Sequence, residues 1–195
     1  MIQLKKCPVC ESNKLNLFMI CKDFSVSQEN FNIVSCETCG FKFTNPMPSK
    51  IRIGKYYDSN KYISHTNSKK GLFNVLYQSI RRITIKSKRK LISRNSENIH
   101  HLDIGCGTGE FLYECKKNGI NVFGVEPSKA AAEQAIKNFK IEVADSIFSK
   151  TFTDKKFDSI SMWHVLEHVH DIKKSISKIY GLLKIGGKIF IALPN

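Results

Sequence analysis

The chain has 195 residues, 42% of them hydrophobic and 25% charged, with a formal net charge of +14; that suits one α/β domain with a small appendage and excludes a disordered chain. No run approaches the ~18 consecutive apolar residues of a membrane-spanning helix, and the opening MIQLKKCPVC lacks the charged-then-apolar pattern of an export signal, so the expected compartment is the cytoplasm. Seven cysteines, an odd count with four of them in two C-x-x-C pairs, argue for metal ligands rather than a disulfide framework.

Residues 1–48 carry those pairs, Cys7-x-x-Cys10 and Cys36-x-x-Cys39-Gly40, with short β-type runs FNIVSC and FKFTN, and end at the prolines of NPMPS. Each pair is a thiolate knuckle able to give two sulfurs to one tetrahedral ion, so the four together predict a zinc ribbon. A hairpin or pair of strands fills the gap between the knuckles, with Cys21 inside it as a substitute ligand. Four thiolates close the coordination sphere, which makes the expected zinc structural.

Residues 49–97 form a basic linker. From Lys50 to Arg94 there are thirteen Lys or Arg against one acid, Asp58. The stretch KYYDSNKYISHTNSKK reads as irregular, whereas GLFNVLYQSIRRITIKSKRKLISR places Leu72, Leu76, Ile80 and Ile83 at helical spacing, with Arg81, Arg82, Lys86, Lys88, Arg89 and Lys90 expected to face outward. Such a helix can bind nucleic acid, an anionic surface or the phosphates of an acceptor, or simply present a solvated face.

From residue 98 to 195 strands and helices alternate. IHHLDI, INVFGVE, IEVAD, FDSISMW and GKIFIAL read as strands, and GEFLYECKKN, SKAAAEQAIKNF and DIKKSISKIYGLLK as helices, which predicts a parallel sheet with right-handed crossovers. Gly105, Gly107 and Gly109 follow the first of these strands and open a helix, where glycine lets backbone approach a ligand closely. The spacing has no GK[ST] of a phosphate-binding loop. Acids end the first three strands: Asp103 beneath the loop, Glu126 where both ribose hydroxyls of an adenosine can be accepted, and Asp145 where an adenine amino group can donate. That set favours a ligand with a ribose, an adenine and a positive charge over a diphosphate.

In order and spacing, LDIGCGTGEF, GVEPS, VADSI, FDSISMWHVLEHVHD and LLKIGGKIFIALPN resemble the class I S-adenosylmethionine-dependent methyltransferases. The resemblance implies a Rossmann-like sheet of order 3-2-1-4-5 and an S-adenosylmethionine site. Asp103, Gly105, Cys106, Gly107 and Gly109 would surround the methionine part, Glu126 and Pro127 the ribose and Asp145 the adenine, with Met162 to His164 bordering the methyl-transfer centre. Cys106 and Cys115 are expected to pack against the loop and its helix. Family sheets carry seven strands; here the last two are missing, so the chain reads as truncated at its C-terminus. A zinc ribbon ahead of such a domain is similar to a group of bacterial methyltransferases associated with sugar and surface-polysaccharide modification.

His164 is the candidate base, since imidazole titrates near neutral pH; a capping or partly buried structural histidine is the alternative. Glu167 and His168, three and four residues on, are placed on the same helical turn, where with His164 they can join in catalysis or in a divalent-metal site. Tyr56, Tyr57 and His65 are the next candidates for a base, and His170 is expected to be solvated. The expected reaction is methyl transfer to a small polar acceptor, a sugar or nucleotide-linked sugar. An RNA methyltransferase is the rival, supported by ribbon and basic stripe but opposed by MWHV where a base-binding N-P-P-[YF] box would stand and by the lack of a Pro-Cys nucleophile. A non-catalytic adenosyl- or zinc-binding protein is the third.

Overall fold

The computed structural model describes residues 1–56, 72–92 and 98–194, with the side chains of 72–79 left aside. Tyr57, His65 and most of the stretch expected to be irregular lie outside the described residues. The chain divides into two compact units, Met1–Thr66 with His170–Lys173, and Asn67–Val169 with Lys174–Asn195.

In the first unit, β1 (Leu15–Lys22), β2 (Asn30–Cys36) and β3 (Lys42–Thr44) form an antiparallel sheet in sequence order. The hairpin β1–β2 fills the gap between the cysteine pairs, with an irregularity in register at Phe18 between Leu17 and Met19. Asp23 fixes its turn by accepting from the backbone N–H of Ser25, Val26 and Ser27, the side-chain turn chemistry that favours aspartate there. The amide of Asn45, buried, accepts from Leu4 N and donates to Leu4 O at 2.9 Å each, and so ties the N-terminal segment to the end of β3. His170, expected to be solvated, instead sets Nε2 2.9 Å from the carbonyl oxygen of Pro48.

The second unit opens with α1 (Leu72–Ile92), a stretch without glycine or proline to interrupt it. Then come β4 (His100–Ile104), α2 (Glu110–Lys117), β5 (Asn121–Val125), α3 (Lys129–Phe139), β6 (Glu142–Ala144), β7 (Phe157–Trp163), α4 (Ile172–Leu182) and β8 (Leu183–Ala192). The strands pair in parallel in the order β6-β5-β4-β7-β8, which is 3-2-1-4-5 counted within this unit. Strand alternation divides the chemistry of β4. Leu102 and Ile104 join Ile160, Met162, Ile179 and Leu182 in one core cluster, each such side chain worth about 1.5–3 kcal/mol of transfer free energy. His101 and Asp103 point to the other face, where Ile92, Ile99, Phe111, Cys115 and Ile120 pack. Cys106 sits with Leu112 and Ile141 in a third cluster, and Cys115 is fully buried, as their expected packing requires.

The basic helix departs from its expected orientation. Ile80 and Ile83 are exposed, at 55% and 65%, while Arg81, Ile85, Lys88, Arg89 and Ile92 turn inward. Those positions themselves recur at helical spacing, so the helix carries two competing stripes. The inward stripe packs Ile85 and Ile92 on the cluster of Ile99, Phe111, Cys115 and Ile120 and meets acids on α2: Arg81 Nη2 lies 3.3 Å from Glu110 Oε1 and Arg89 Nε 3.7 Å from Glu114 Oε1. Hydropathy alone assigns every cation outward, because partner acids on another helix do not show in periodicity.

Candidate active site

Four parallel strands end along one edge of the sheet. Register sets Ile104 beside Val125 and Met162, and Val125 beside Ala144, so along that edge Asp145, Glu126 and Gly105 follow in strand order, with His164 one residue past the end of β7 on the other side of Gly105. Open α/β sheets hold their ligands there.

The three loop glycines all adopt left-handed backbone, with φ of 77° at Gly105, 55° at Gly107 and 86° at Gly109. Two also have no room for a side chain. A Cβ on Gly105 would stand 2.4 Å from Cγ2 of Val165, and one on Gly109 2.8 Å from Cβ of Ala135. The loop is therefore clamped between the segment after β7 and helix α3. The N–H groups of Gly105 and Cys106 both donate to Val125 O, at 2.7 and 3.0 Å.

Glu126 completes the loop from the adjacent strand end. Its Oε2 accepts from Gly107 N at 2.9 Å and its Oε1 from Ser128 N at 2.8 Å. Each carboxylate oxygen keeps a second lone pair for a ligand hydroxyl. Pro127 and Asp145 are exposed beside it. Asp103, only 2% exposed, accepts from the Ser161 hydroxyl. Burial pushes its carboxyl up to about 7, against the opposing influence of Ser161 and Lys88. Met162, 1% exposed, is a member of the core beside Ile104, so its side chain supports the site from within.

His164 has a φ of 58°, uncommon for a residue with a Cβ and a recurrent mark of functional sites. Its N–H donates to Ala192 O at 2.9 Å, and its side chain is 58% exposed. The helical turn expected to carry His164, Glu167 and His168 is a short 3-10 turn, Leu166–His168, and His164 precedes it. Glu167 Oε1 stands 3.9 Å from His164 Nδ1 and 3.9 Å from His168 Nε2, near enough for charge interaction but beyond hydrogen-bond length. Among the described residues the three do not gather as a metal site; the four cysteines do.

Pattern reading misses the residues beneath the loop. Lys88 is half-buried with Nζ 4.4 Å from the centre of the Trp163 ring, and burial lowers its pKa while Asp103 opposes that fall. Trp163 meets Phe111 edge-on at 5.8 Å, and Phe111 meets His101 the same way. The only available signal is three polar residues, His101, Ser159 and Ser161, at inward positions of apolar strands.

In the first unit the sulfurs of Cys7, Cys10, Cys36 and Cys39 lie within 4.8 Å of one another. Cys7 Sγ is 3.6 Å from Cys39 Sγ and Cys10 Sγ 3.5 Å from Cys36 Sγ, close to the edge of about 3.8 Å for a tetrahedron with ~2.3 Å zinc–sulfur arms. The knuckles are already turned: Glu11 N donates to Cys7 O at 3.0 Å and Gly40 N to Cys36 O at 2.8 Å, with Gly40 at φ 73°. Cys21, the substitute ligand, is exposed and lies outside the cluster.

The chain is similar to known methyltransferases. The ubiquinone biosynthesis O-methyltransferase of Coxiella burnetii is 35% identical over 103 residues, 49% of this chain and 44% of that protein. The protein of the same name from Pelagibacter ubique is 36% identical over 104 residues, 51% of this chain and 43% of its own. The chain thus spans somewhat under half the length of these curated relatives. Among solved structures, the plantazolicin methyltransferase BpumL in complex with a pentazolic desmethylPZN analog and SAH superposes with a TM-score of 0.51 at 21% identity, covering 62% of this chain and 51% of that one. Streptomyces venezuelae DesVI gives 0.51 at 18% identity, over 63% and 56%. These two likenesses establish the shared fold. The family described as "Methyltransferase domain" matches residues 77–195, well over half of the sequence, and the chain belongs to that family.

Proposed function

We propose that the chain binds S-adenosylmethionine at the Asp103–Gly109 loop and serves methyl transfer to a hydroxyl of a small polar acceptor. The observation that carries this is the convergence of a clamped glycine loop, Glu126, Asp145 and His164 on one sheet edge. The residues fit the group: backbone without side chains lies where a ligand must approach, a carboxylate with spare lone pairs stands at the end of the adjacent strand, about twenty residues on, and Asp103 offers a negative partner to an ammonium. When bound, S-adenosylmethionine supplies an electrophilic methyl group. His164 takes the acceptor's proton as the oxygen becomes a nucleophile, and the Glu167 carboxylate 3.9 Å from Nδ1 stabilises the resulting imidazolium. His168 Nε2 stands 3.9 Å from the same Glu167 oxygen, and we assign His168 to that catalytic group.

The relatives are named O-methyltransferases, which supports oxygen as the acceptor atom. A sugar or nucleotide-linked sugar is the acceptor class proposed, with the exposed cations Arg82, Lys86 and Lys90 available to its phosphate. RNA is disfavoured because Arg81, Lys88 and Arg89 are turned inward, which thins the stripe that a phosphate backbone would need. We further propose structural zinc on Cys7, Cys10, Cys36 and Cys39, within a ribbon of residues 1–48, a linker of 49–97 and a cofactor-binding domain of 98–195. No helix among the described residues is long and apolar enough to cross a membrane. The test is a screen with methyl-labelled S-adenosylmethionine against nucleotide sugars, simple phenols and RNA. Label in a nucleotide sugar supports the proposal; label in RNA alone overturns it.

A further inference from the structure

Beneath the glycine loop a run of buried polar side chains crosses from β7 to β4 and back. His101 Nδ1 is 2.8 Å from Ser159 Oγ, His101 Nε2 is 3.0 Å from Ser161 Oγ, and the Ser161 hydroxyl donates to Asp103 Oδ1. Ser159 is 4% exposed, Asp103 2%, and His101 and Ser161 are fully buried. Burying polar groups is costly unless each is satisfied, so an apolar strand interior with four of them in series is not a packing default.

The chain of bonds has one consistent direction. A serine hydroxyl has a single proton, and Ser161 donates its own to Asp103 Oδ1. Ser161 Oγ must then accept from His101, which fixes the ring proton on Nε2 and leaves Nδ1 to accept from Ser159. Among the described residues this supplies a donor to Oδ1 of Asp103 and to no other oxygen of that carboxylate. Resting on the cofactor site proposed above, we propose that His101 and Ser161 are positioning residues: they lock Asp103 through Oδ1 and keep Oδ2 as the negatively charged oxygen that meets the ammonium of the ligand's amino-acid part.

The surrounding charges agree with this role. Lys88 from α1 favours the ionised carboxylate and Glu126 from the end of β5 opposes it. Burial holds the thiols of Cys106 in the loop and Cys115 on α2 protonated, and drives His101 down to about 3, so the imidazole stays neutral through the working range. Burial pushes Asp103 up to about 7, and of the two influences that lower it again the hydrogen bond from Ser161 comes ahead of the charge of Lys88.

The test is calorimetric titration of S-adenosylhomocysteine into the parent chain and into Ser161→Ala from pH 6 to pH 9. The ligand's own titration is common to both proteins and cancels in the ratio of affinities. Loss of the donor raises the Asp103 pKa, so the parent-to-variant ratio should be tenfold or more at about pH 6 and close to about twofold or less at about pH 9. Ser161→Thr, which restores the hydroxyl, should recover the parent profile. A purely structural serine lowers affinity by one factor at every pH, and that flat ratio overturns the inference while leaving the cofactor site standing. Failure of the parent chain to bind at any pH overturns the cofactor site and this inference with it. Independently of any variant, nitrogen chemical shifts of His101 should report a neutral Nε2–H tautomer throughout; an Nδ1–H tautomer, or titration of the ring between pH 6 and 9, overturns the bond direction.

Discussion

Replacing Glu126 by alanine removes the carboxylate that joins two strand ends. In the folded protein it accepts from Gly107 N at 2.9 Å and Ser128 N at 2.8 Å. The side chain is half-buried, so water takes over part of both bonds, and the stability lost is about 1–2 kcal/mol, well below two sealed charge-assisted bonds. Binding suffers more. Two ribose hydroxyls would lose a charged acceptor, about 2–4 kcal/mol, or a 30- to 1,000-fold fall in affinity for S-adenosylhomocysteine. Titration calorimetry on a variant shown by circular dichroism to be folded reads this directly, and Glu126→Gln, which keeps one acceptor oxygen, should fall between. Unchanged affinity in folded Glu126→Ala would refute the assignment of this residue to the ribose.

Gly105→Ala combines a left-handed backbone with a Cβ 2.4 Å from Val165, and should cost about 2–4 kcal/mol of stability in urea melts; a parent-like midpoint contradicts the clamp. Because burial raises Asp103 from 3.8 to about 7, its proton contributes stability that is fully present below 3.8 and lost as pH rises through 7. Asp103→Asn should therefore gain on the parent by up to about 1.4 kcal/mol per pH unit across that window, and equal stability differences at pH 5 and pH 7 would argue against it. His164→Ala should slow turnover about 100- to 10,000-fold and leave cofactor affinity nearly intact; turnover at the parent rate would make His164 structural. Elemental analysis should find zinc in equal number to chains, and chelation should unfold residues 1–48; a ribbon that keeps its structure in chelator would exclude a structural metal.

The strands of the sheet are legible in sequence because β4, β5 and β7 alternate or run apolar between clear turn signals, and the glycine spacing marks the loop between β4 and α2. The hairpin between the knuckles is inferable from the gap length, although β1 itself, exposed along nearly all its length, gives no burial pattern to read. What stays hidden is the meaning of polar residues at inward positions. His101, Ser159 and Ser161 look like defects in apolar strands until register puts them within hydrogen-bond reach across two strands. The inward cations of α1 are hidden for the same reason. Arg81 and Arg89 find Glu110 and Glu114 on another helix, and pairing between elements leaves no trace in the periodicity of either. His164 shows in the sequence as a residue type in the right place, whereas its left-handed backbone and its position outside the 3-10 turn come only from the fold.

The most direct test of the central claim is a backbone amide map by nuclear magnetic resonance as S-adenosylhomocysteine is added to the zinc-loaded chain. Binding at the sheet edge predicts saturable shifts that centre on residues 103–109 and include Glu126, Asp145 and His164, with the signals of Cys7, Cys10, Cys36 and Cys39 unmoved. Shifts confined to other residues, or none at saturating ligand, would contradict it.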